Sequence, residues 1–156
     1  MPQSAFEDVL NADSGAIGIL RAFDKSNAII AFDLNTNILA ANENFLATMG
    51  YDWDEVKGKQ HRIFAHDDLN EAKYRQFWDD LRNGKFCSGE FRRRRKDGKD
   101  VWIAASYNPV LGKDGSVTRI VKIATDITER KIALDQVVNG LAELAEGNVK
   151  VRLDNN

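Results

Sequence analysis

The stretch "FCSGEFRRRRKDGKDVWIAASYNPVLGKDGSVTRIVKIAT", Phe86 to Thr125, decides the fold. Three runs stand in it, Phe86–Arg95, Val101–Val110 and Val117–Thr125, the last two rich in β-branched and aromatic residues. The gaps between them are "KDG", ending at Gly98, and "GKDG", ending at Gly115. Asp-Gly pairs between such runs are hairpin signals, because glycine takes the left-handed backbone a tight turn demands. Three consecutive antiparallel strands are therefore expected.

Reading upstream, Tyr74, Phe77, Trp78 and Leu81 fall on one face of a helix over Leu69–Leu81, which Asn83–Gly84 stops. Ahead of it, Gln60–Asp68 is polar and reads as irregular backbone. Asp52–Val56 forms a short helical turn closed by Gly58, and Gly50 ends a helix over Glu43–Met49. Asn42 stands at the N-cap of that helix, where its side chain accepts from a free backbone amide. "NAIIAFDL" (Asn27–Leu34) and "ILAA" (Ile38–Ala41) read as a hairpin turned by "NTN". The first segment, Ser4–Phe23, has roughly helical apolar spacing, with Gly15 and Gly18 as weak points. Downstream, Ile127, Leu134, Val138, Leu141 and Leu144 make an apolar stripe on a closing helix. Helix, hairpin, short helices, three strands and helix add up to an α+β fold. One five-stranded antiparallel sheet is covered on one face, with a pocket under the middle helices.

Composition narrows the function classes. With 43% hydrophobic and 29% charged residues in 156, the chain has enough apolar material for a core. A net charge of -2 gives no drive toward nucleic acid or anionic membrane. A single cysteine, Cys87, leaves no internal disulfide and no Cys-rich zinc site. No apolar run is long enough to span a bilayer, and the N-terminus has no signal-peptide pattern, so a cytoplasmic location is expected. No nucleophile–base–orienter set and no phosphate-binding glycine loop are visible, so an enzyme is not expected.

Two long stretches carry a family resemblance. "IIAFDLNTNILAANENFLATMGYDWDEVKGK" resembles the first half of a PAS domain. "EFRRRRKDGKDVWIAASYNPVLGKDGSVTRIVKIATDITERK" resembles the second half, and "DIT" at Asp126–Thr128 is similar to the junction between a PAS core and its output helix. The resemblance implies strand order 2-1-5-4-3. It also implies three parts: an N-terminal helical cap over residues 1–25, a PAS sensor over 26–128, and an output helix opening a HAMP-like segment over 129–156. "QHRIFAHDD" and "KYRQFWDDLRNGKFCSGEFRR" are similar to the PAS domains of bacterial methyl-accepting chemotaxis receptors.

Among those receptors the aerotaxis type binds FAD in the PAS pocket. That resemblance implies a redox or oxygen sensor with Asn42, His66, Asp68 and Trp78 at the cofactor. Phe77, His61 and Arg62 are further candidates. Ala65 stands where an arginine precedes the histidine in that pattern, and Arg62 lies three residues earlier. The resemblance further implies a homodimer through the terminal helices and a HAMP or signalling domain of the same receptor downstream. Asp126 and Thr128 would then act as the signalling junction.

Other readings of these residues remain open. Haem b would use His61 or His66 as axial ligand. A cofactor-free module would dimerise or bind a small organic ligand. As a metal pair, His61 and His66 have only Asp67 and Asp68 nearby, so no metal is expected. Asn42 serves equally as a plain cap, and Tyr74, Phe77 and Trp78 equally as core. Arg92–Arg95 read as a solvated strand, alternating side to side. Cys87 reads as a buried small hydrophobe in a strand, outside the helical motif of light-driven cysteine–flavin adducts.

Overall fold

The computed structural model describes residues 15–147. They fall into two compact units that divide between Asp126 and Ile127. The first opens with α1 (Gly15–Ser26), followed by β1 (Ala28–Phe32) and β2 (Ile38–Ala41). Next come α2 (Glu43–Met49), α3 (Trp53–Val56), a 3-10 turn (His61–Phe64) and α4 (Glu71–Arg82). The remaining strands are β3 (Cys87–Arg94), β4 (Asp100–Leu111) and β5 (Val117–Asp126). All five strands form one antiparallel sheet in the order β2-β1-β5-β4-β3, as expected.

The turns follow the sequence chemistry. Gly98 and Gly115 take φ of 81° in the two hairpins, a region other residues seldom adopt. β1 is shorter than its apolar run because the Asp33 carboxylate accepts from the amides of Asn35 and Asn37, both at 2.8 Å. That side-chain turn ends the strand at Phe32. Asn70 rather than Leu69 begins the long helix, its carboxamide accepting from Lys73 N at 3.0 Å. α1 runs through Gly18 to Ser26, while the earlier part of the expected N-terminal helix lies outside the described residues.

Every second residue of the central strands is buried on the face covered by α2, α3, the 3-10 turn and α4. Ile30 and Phe32 of β1, Val101, Ile103 and Tyr107 of β4, and Ile120 of β5 are at most 1% exposed. Phe45, Met49, Val56, Phe64, Trp78 and Leu81 close the layer from the helical side. The strand period of two and the helical period of 3.6 thus meet in one core.

The second unit is described by itself. α5 (Thr128–Ala145) is helical throughout and exposes Ile132, Leu134, Val137, Val138, Leu141 and Leu144. The tail from residue 148, in the expected HAMP-like segment, lies outside the described residues.

Candidate functional site

α4 presents Tyr74 and Phe77 toward β3 and β4, the edge side of the sheet. Phe77 meets Tyr107 edge-to-face at 4.8 Å and Phe91 at 6.2 Å between centroids. Between these elements lies a cleft of about 410 Å³ lined by His66, Asp68, Leu69, Asn70, Lys73, Tyr74, Phe77, Phe91, Arg92 and Arg93. Its volume falls within the range of small-molecule sites. It combines aromatic rings with three cationic side chains, Lys73, Arg92 and Arg93.

His66 sits at the mouth, held by the loop before α4. Nδ1 faces Asp68 Oδ1 at 2.9 Å and Nε2 faces Asp100 Oδ1 at 3.2 Å. Arg92 binds Asp68 and approaches His66 Nδ1 at 3.3 Å, while Arg94 donates to Asp67 at 2.6 Å. The arginine run is therefore half-buried and paired rather than freely solvated. β3 is an edge strand, and Arg92 and Arg94 tie the His66 loop to it, while Arg93 turns to the inner face. There Arg93 donates to the Tyr107 hydroxyl at 3.3 Å and stacks over the Phe91 ring at 4.9 Å.

His61 departs most from the loop reading. It is fully buried, because the 3-10 turn drives its ring between β1 and α4 against Phe32, Phe64 and Trp78. Nδ1 pairs with the Tyr74 hydroxyl and Nε2 with the Tyr107 hydroxyl, each at 3.1 Å. Burial, then the cations of Lys122 and Arg93, hold its pKa well below the ordinary imidazole value, so the ring is neutral. Arg62 does not take the place of the missing arginine beside His66. It forms a two-pronged pair with Glu71 and lies over the Tyr74 ring at 5.0 Å. Arg92 and Arg94 are the guanidiniums at His66.

Asn42 lies elsewhere and does not line this cleft. Its Oδ1 accepts from Ile29 N and Phe45 N, both at 2.9 Å, and its Nδ2 donates to Asn27 O at 2.8 Å. It is the N-cap of α2 and at the same time the clamp joining that helix to β1 and the end of α1. A larger groove of about 750 Å³ beside it runs over the outer sheet face at Ile29, Ala31, Ala40 and Val121. That groove offers a floor of small apolar side chains, and the Asn42 carboxamide in it is already bonded. The ionisable and aromatic groups converge at the smaller cleft instead.

Trp78 backs that cleft from within, 1% exposed, with rings of Phe32, His61 and Phe77 at 5.3–5.8 Å. Its indole N–H lies near the Tyr74 hydroxyl but outside hydrogen-bonding geometry, and it has no acceptor among the described residues. An orphaned buried donor is uncommon and marks a place where a ligand oxygen or nitrogen would be favoured. Cys87 is half-buried on β3, its thiol pushed up by burial and by Asp80. Among the described residues no cluster of His, Cys, Asp and Glu is arranged for a metal ion. None of their helices is long and apolar enough to cross a membrane.

The sequence reading missed three members of the inner layer. Lys122 of β5 is 1% exposed, with Nζ over the rings of Tyr107 at 5.0 Å and Phe45 at 5.5 Å. Burial lowers its pKa, with Arg93 acting the same way and Tyr107 opposing. Tyr107 is fully buried, and burial by itself disfavours its ionisation. Lys122 and Arg93 outweigh that and bring its pKa below the ordinary phenol value. Arg93 is the third.

A sheet ordered β2-β1-β5-β4-β3, with helices over one face and an aromatic-lined cleft beneath the last of them, is the architecture of a PAS-type α+β domain. The family model described as "PAS fold" matches residues 38–124, and the chain belongs to the PAS family. The biofilm dispersion protein BdlA of Pseudomonas aeruginosa is 44% identical over 112 residues, 71% of this chain and 27% of that protein. The aerotaxis receptor of Escherichia coli is 30% identical over 110 residues, 70% of this chain and 22% of the receptor. The chain thus spans about a quarter of the length of these relatives. A solved light-oxygen-voltage domain from a study of a flavin analogue superposes with a TM-score of 0.63 at 20% identity. That match covers 82% of this chain and 97% of that one, and speaks to the fold.

Proposed function

We propose that this chain is the sensory PAS module of a chemotaxis-type receptor, responding to redox state or oxygen through FAD held between α4 and β3. The observation that carries the reading is the convergence in one cleft of aromatic faces, from Tyr74, Phe77 and Phe91, with cations, from Lys73, Arg92 and Arg93. An isoalloxazine is flat and apolar on its faces, and the dinucleotide carries anionic phosphates. Rings and guanidiniums in one cleft suit both parts. The orphaned Trp78 N–H adds a donor behind the rings. Bound flavin would supply redox chemistry with a change of charge on reduction.

Haem b fits less well. Both nitrogens of His61 are engaged by tyrosine hydroxyls, and both of His66 face carboxylates. An axial bond would require breaking one of those pairs. The module acts by binding rather than catalysis in this reading, and in the cytoplasm. The exposed apolar side chains of α1 (Ile17, Leu20 and Phe23) and of α5 support a homodimer built on these helices. β5 ends at Asp126 and α5 begins at Thr128, so the chain itself carries the sheet into the output helix toward a downstream HAMP or signalling domain.

The test is the visible spectrum of freshly purified protein, with bound flavin per chain measured for the wild type and for His66→Ala, Asp68→Ala, Phe77→Ala and Trp78→Ala. Each substitution should weaken flavin by roughly tenfold to a hundredfold, the cost of about 1–3 kcal/mol for a lost buried partner. Wild type without flavin, even after incubation with excess FAD, would overturn the reading. So would retention by all four variants. A Soret band would give the site to haem.

A further inference from the structure

Between the cleft and the centre of the sheet runs a line of ionisable groups, of which the flavin reading uses only the ring of Tyr74. Tyr74 lines the cleft, and its hydroxyl meets His61 Nδ1 at 3.1 Å. His61 Nε2 meets the Tyr107 hydroxyl at 3.1 Å. The same hydroxyl receives Arg93 at 3.3 Å, and Lys122, cross-strand neighbour of Tyr107, holds Nζ over the Tyr107 ring at 5.0 Å from its centroid. His61, Tyr107 and Lys122 are each at most 1% exposed. We propose that Tyr74, His61, Tyr107 and Lys122 form a proton line through which an anionic acceptor in the α4–β3 cleft withdraws the charge of a lysine on the central strand β5.

The charges facing the line explain why it is poised. Arg62 of the 3-10 turn lies over Tyr74, and Arg93 of β3 and Lys122 of β5 converge on Tyr107. Glu71 binds Arg62, at the outer end of the line. Among the described residues, the charged groups that act most on His61, Tyr107 and Lys122 are one another and Arg93. Lys122 is thus a buried cation balanced by aromatic faces and one phenol, an arrangement that favours giving up its proton. Burial and the same cations keep His61 neutral, and a neutral imidazole takes a proton on one nitrogen as it releases one from the other.

The step balances as a single proton transfer. Lys122 Nζ gives a proton to the Tyr107 oxygen, and the Tyr107 proton passes to His61 Nε2. The proton on His61 Nδ1 passes to the Tyr74 oxygen, and the Tyr74 hydroxyl proton passes to a basic nitrogen or oxygen of an organic anion in the cleft. Tyr74 and Tyr107 end as neutral phenols, His61 as its other tautomer and Lys122 as a neutral amine. Lys122 pairs across β5 with Ile30 of β1 and Tyr107 of β4, so its loss of charge is felt at the middle of the sheet. A bound group that gains negative charge on reduction would be such an acceptor, and to that extent the proposal rests on the flavin reading.

The line itself is tested on the protein alone, by NMR of the full chain labelled at histidine nitrogens and lysine side chains. His61 should stay neutral from pH 5 to 8 as a single tautomer. Tyr107→Phe should move the Lys122 titration to lower pH, since the phenol favours the ammonium. Tyr74→Phe, at the far end, should shift both the His61 nitrogens and the Lys122 signal. A doubly protonated His61 at pH 6, or Lys122 unmoved in Tyr107→Phe and Tyr74→Phe, overturns the proposal. A second measurement adds FAD, reduces it with dithionite, and follows Lys122. The Lys122 signal should move to that of a neutral amine in wild type and not in His61→Phe. A chain that binds no FAD refutes the flavin reading alone, and the line then stands or falls on the first experiment.

Discussion

Replacing Asn42 by alanine separates a structural cap from a cofactor contact. The Asn42 carboxamide oxygen holds two backbone amides, Phe45 N at the start of α2 and Ile29 N at the start of β1. Its nitrogen holds Asn27 O. Loss of the cap costs about 0.5–2 kcal/mol. Leaving the partly buried Ile29 amide without a partner costs about 1–3 kcal/mol more. The expected destabilisation is about 2–4 kcal/mol, or a fall of roughly 8–15 °C in Tm for a domain of this size. Asn42→Asp keeps the acceptor and adds negative charge at the helix N-terminus while losing the donor, so it should recover about half of the loss. Urea unfolding of the three proteins, with a common slope, measures this. Asn42 does not line the α4–β3 cleft, so Asn42→Ala should retain ligand under conditions where it is folded. A change below about 0.5 kcal/mol would refute the clamp. A stable variant that loses its ligand would restore Asn42 to the cofactor.

Further outcomes follow from three ionisable side chains, His61, Lys122 and Arg92. The folded-state pKa of His61 is depressed, so the unfolded chain binds the extra proton below the ordinary value of 6.5, and stability falls as pH drops from there toward the folded value. Wild type should lose up to about 1.4 kcal/mol per pH unit more than His61→Gln between pH 6 and 5, and equal slopes in urea titrations would contradict the burial argument. Lys122→Met should be at least as stable as wild type at pH 7, since it removes a buried ammonium whose charge no carboxylate balances among the described residues. The Lys122 pKa is also depressed, so wild type gains stability as pH rises from the folded value toward 10.5, and the Met variant should lack that rise. Arg92→Ala should leave Tm nearly unchanged, its pairs being surface pairs, yet weaken an anionic ligand about tenfold or more in equilibrium titration; unchanged affinity would remove the cleft from consideration.

The parts legible in the sequence are those fixed by local chemistry. Glycines at 98 and 115 set two hairpins, so β3, β4 and β5 could be laid out before any tertiary contact was known. Asn42 and Gly50 bounded α2 for the same reason, and both are the caps of that helix. Tyr74, Phe77, Trp78 and Leu81 shared a helical face, and the last two are buried in the core. The end of β1 was less visible, because it depends on whether the Asp33 carboxylate turns back on its own backbone. Arg92–Arg95 misled because four consecutive cations resemble a solvated surface, whereas their partners, Asp67, Asp68 and Asp100, come from other elements. His66 and Asp68 were named together from the resemblance to aerotaxis-type PAS domains, and their side chains meet at 2.9 Å. Asp100 and the arginines that complete their cluster required the topology.

Lys122 shows where pattern reading reaches its limit. In "RIVKIAT", Arg119 to Thr125, both parities carry apolar residues: Ile120 and Ala124 on one, Val121 and Ile123 on the other. A single lysine would by default assign its own parity to solvent, since lysine is rarely buried without a partner. The structure does the reverse. Ile120, Lys122 and Ala124 face the helices, while Val121 and Ile123 lie half-buried on the outer face. The register decides it, because Lys122 stands opposite Ile30 and Tyr107, both fully buried, and a shift of one residue would carry Ile120 and Ala124 out of the core. Burying an ammonium is then the cost of keeping that register, offset in part by two aromatic faces and a phenol. A methionine would fill the position without that cost. The lysine is therefore better accounted for by its line to the cleft than by packing.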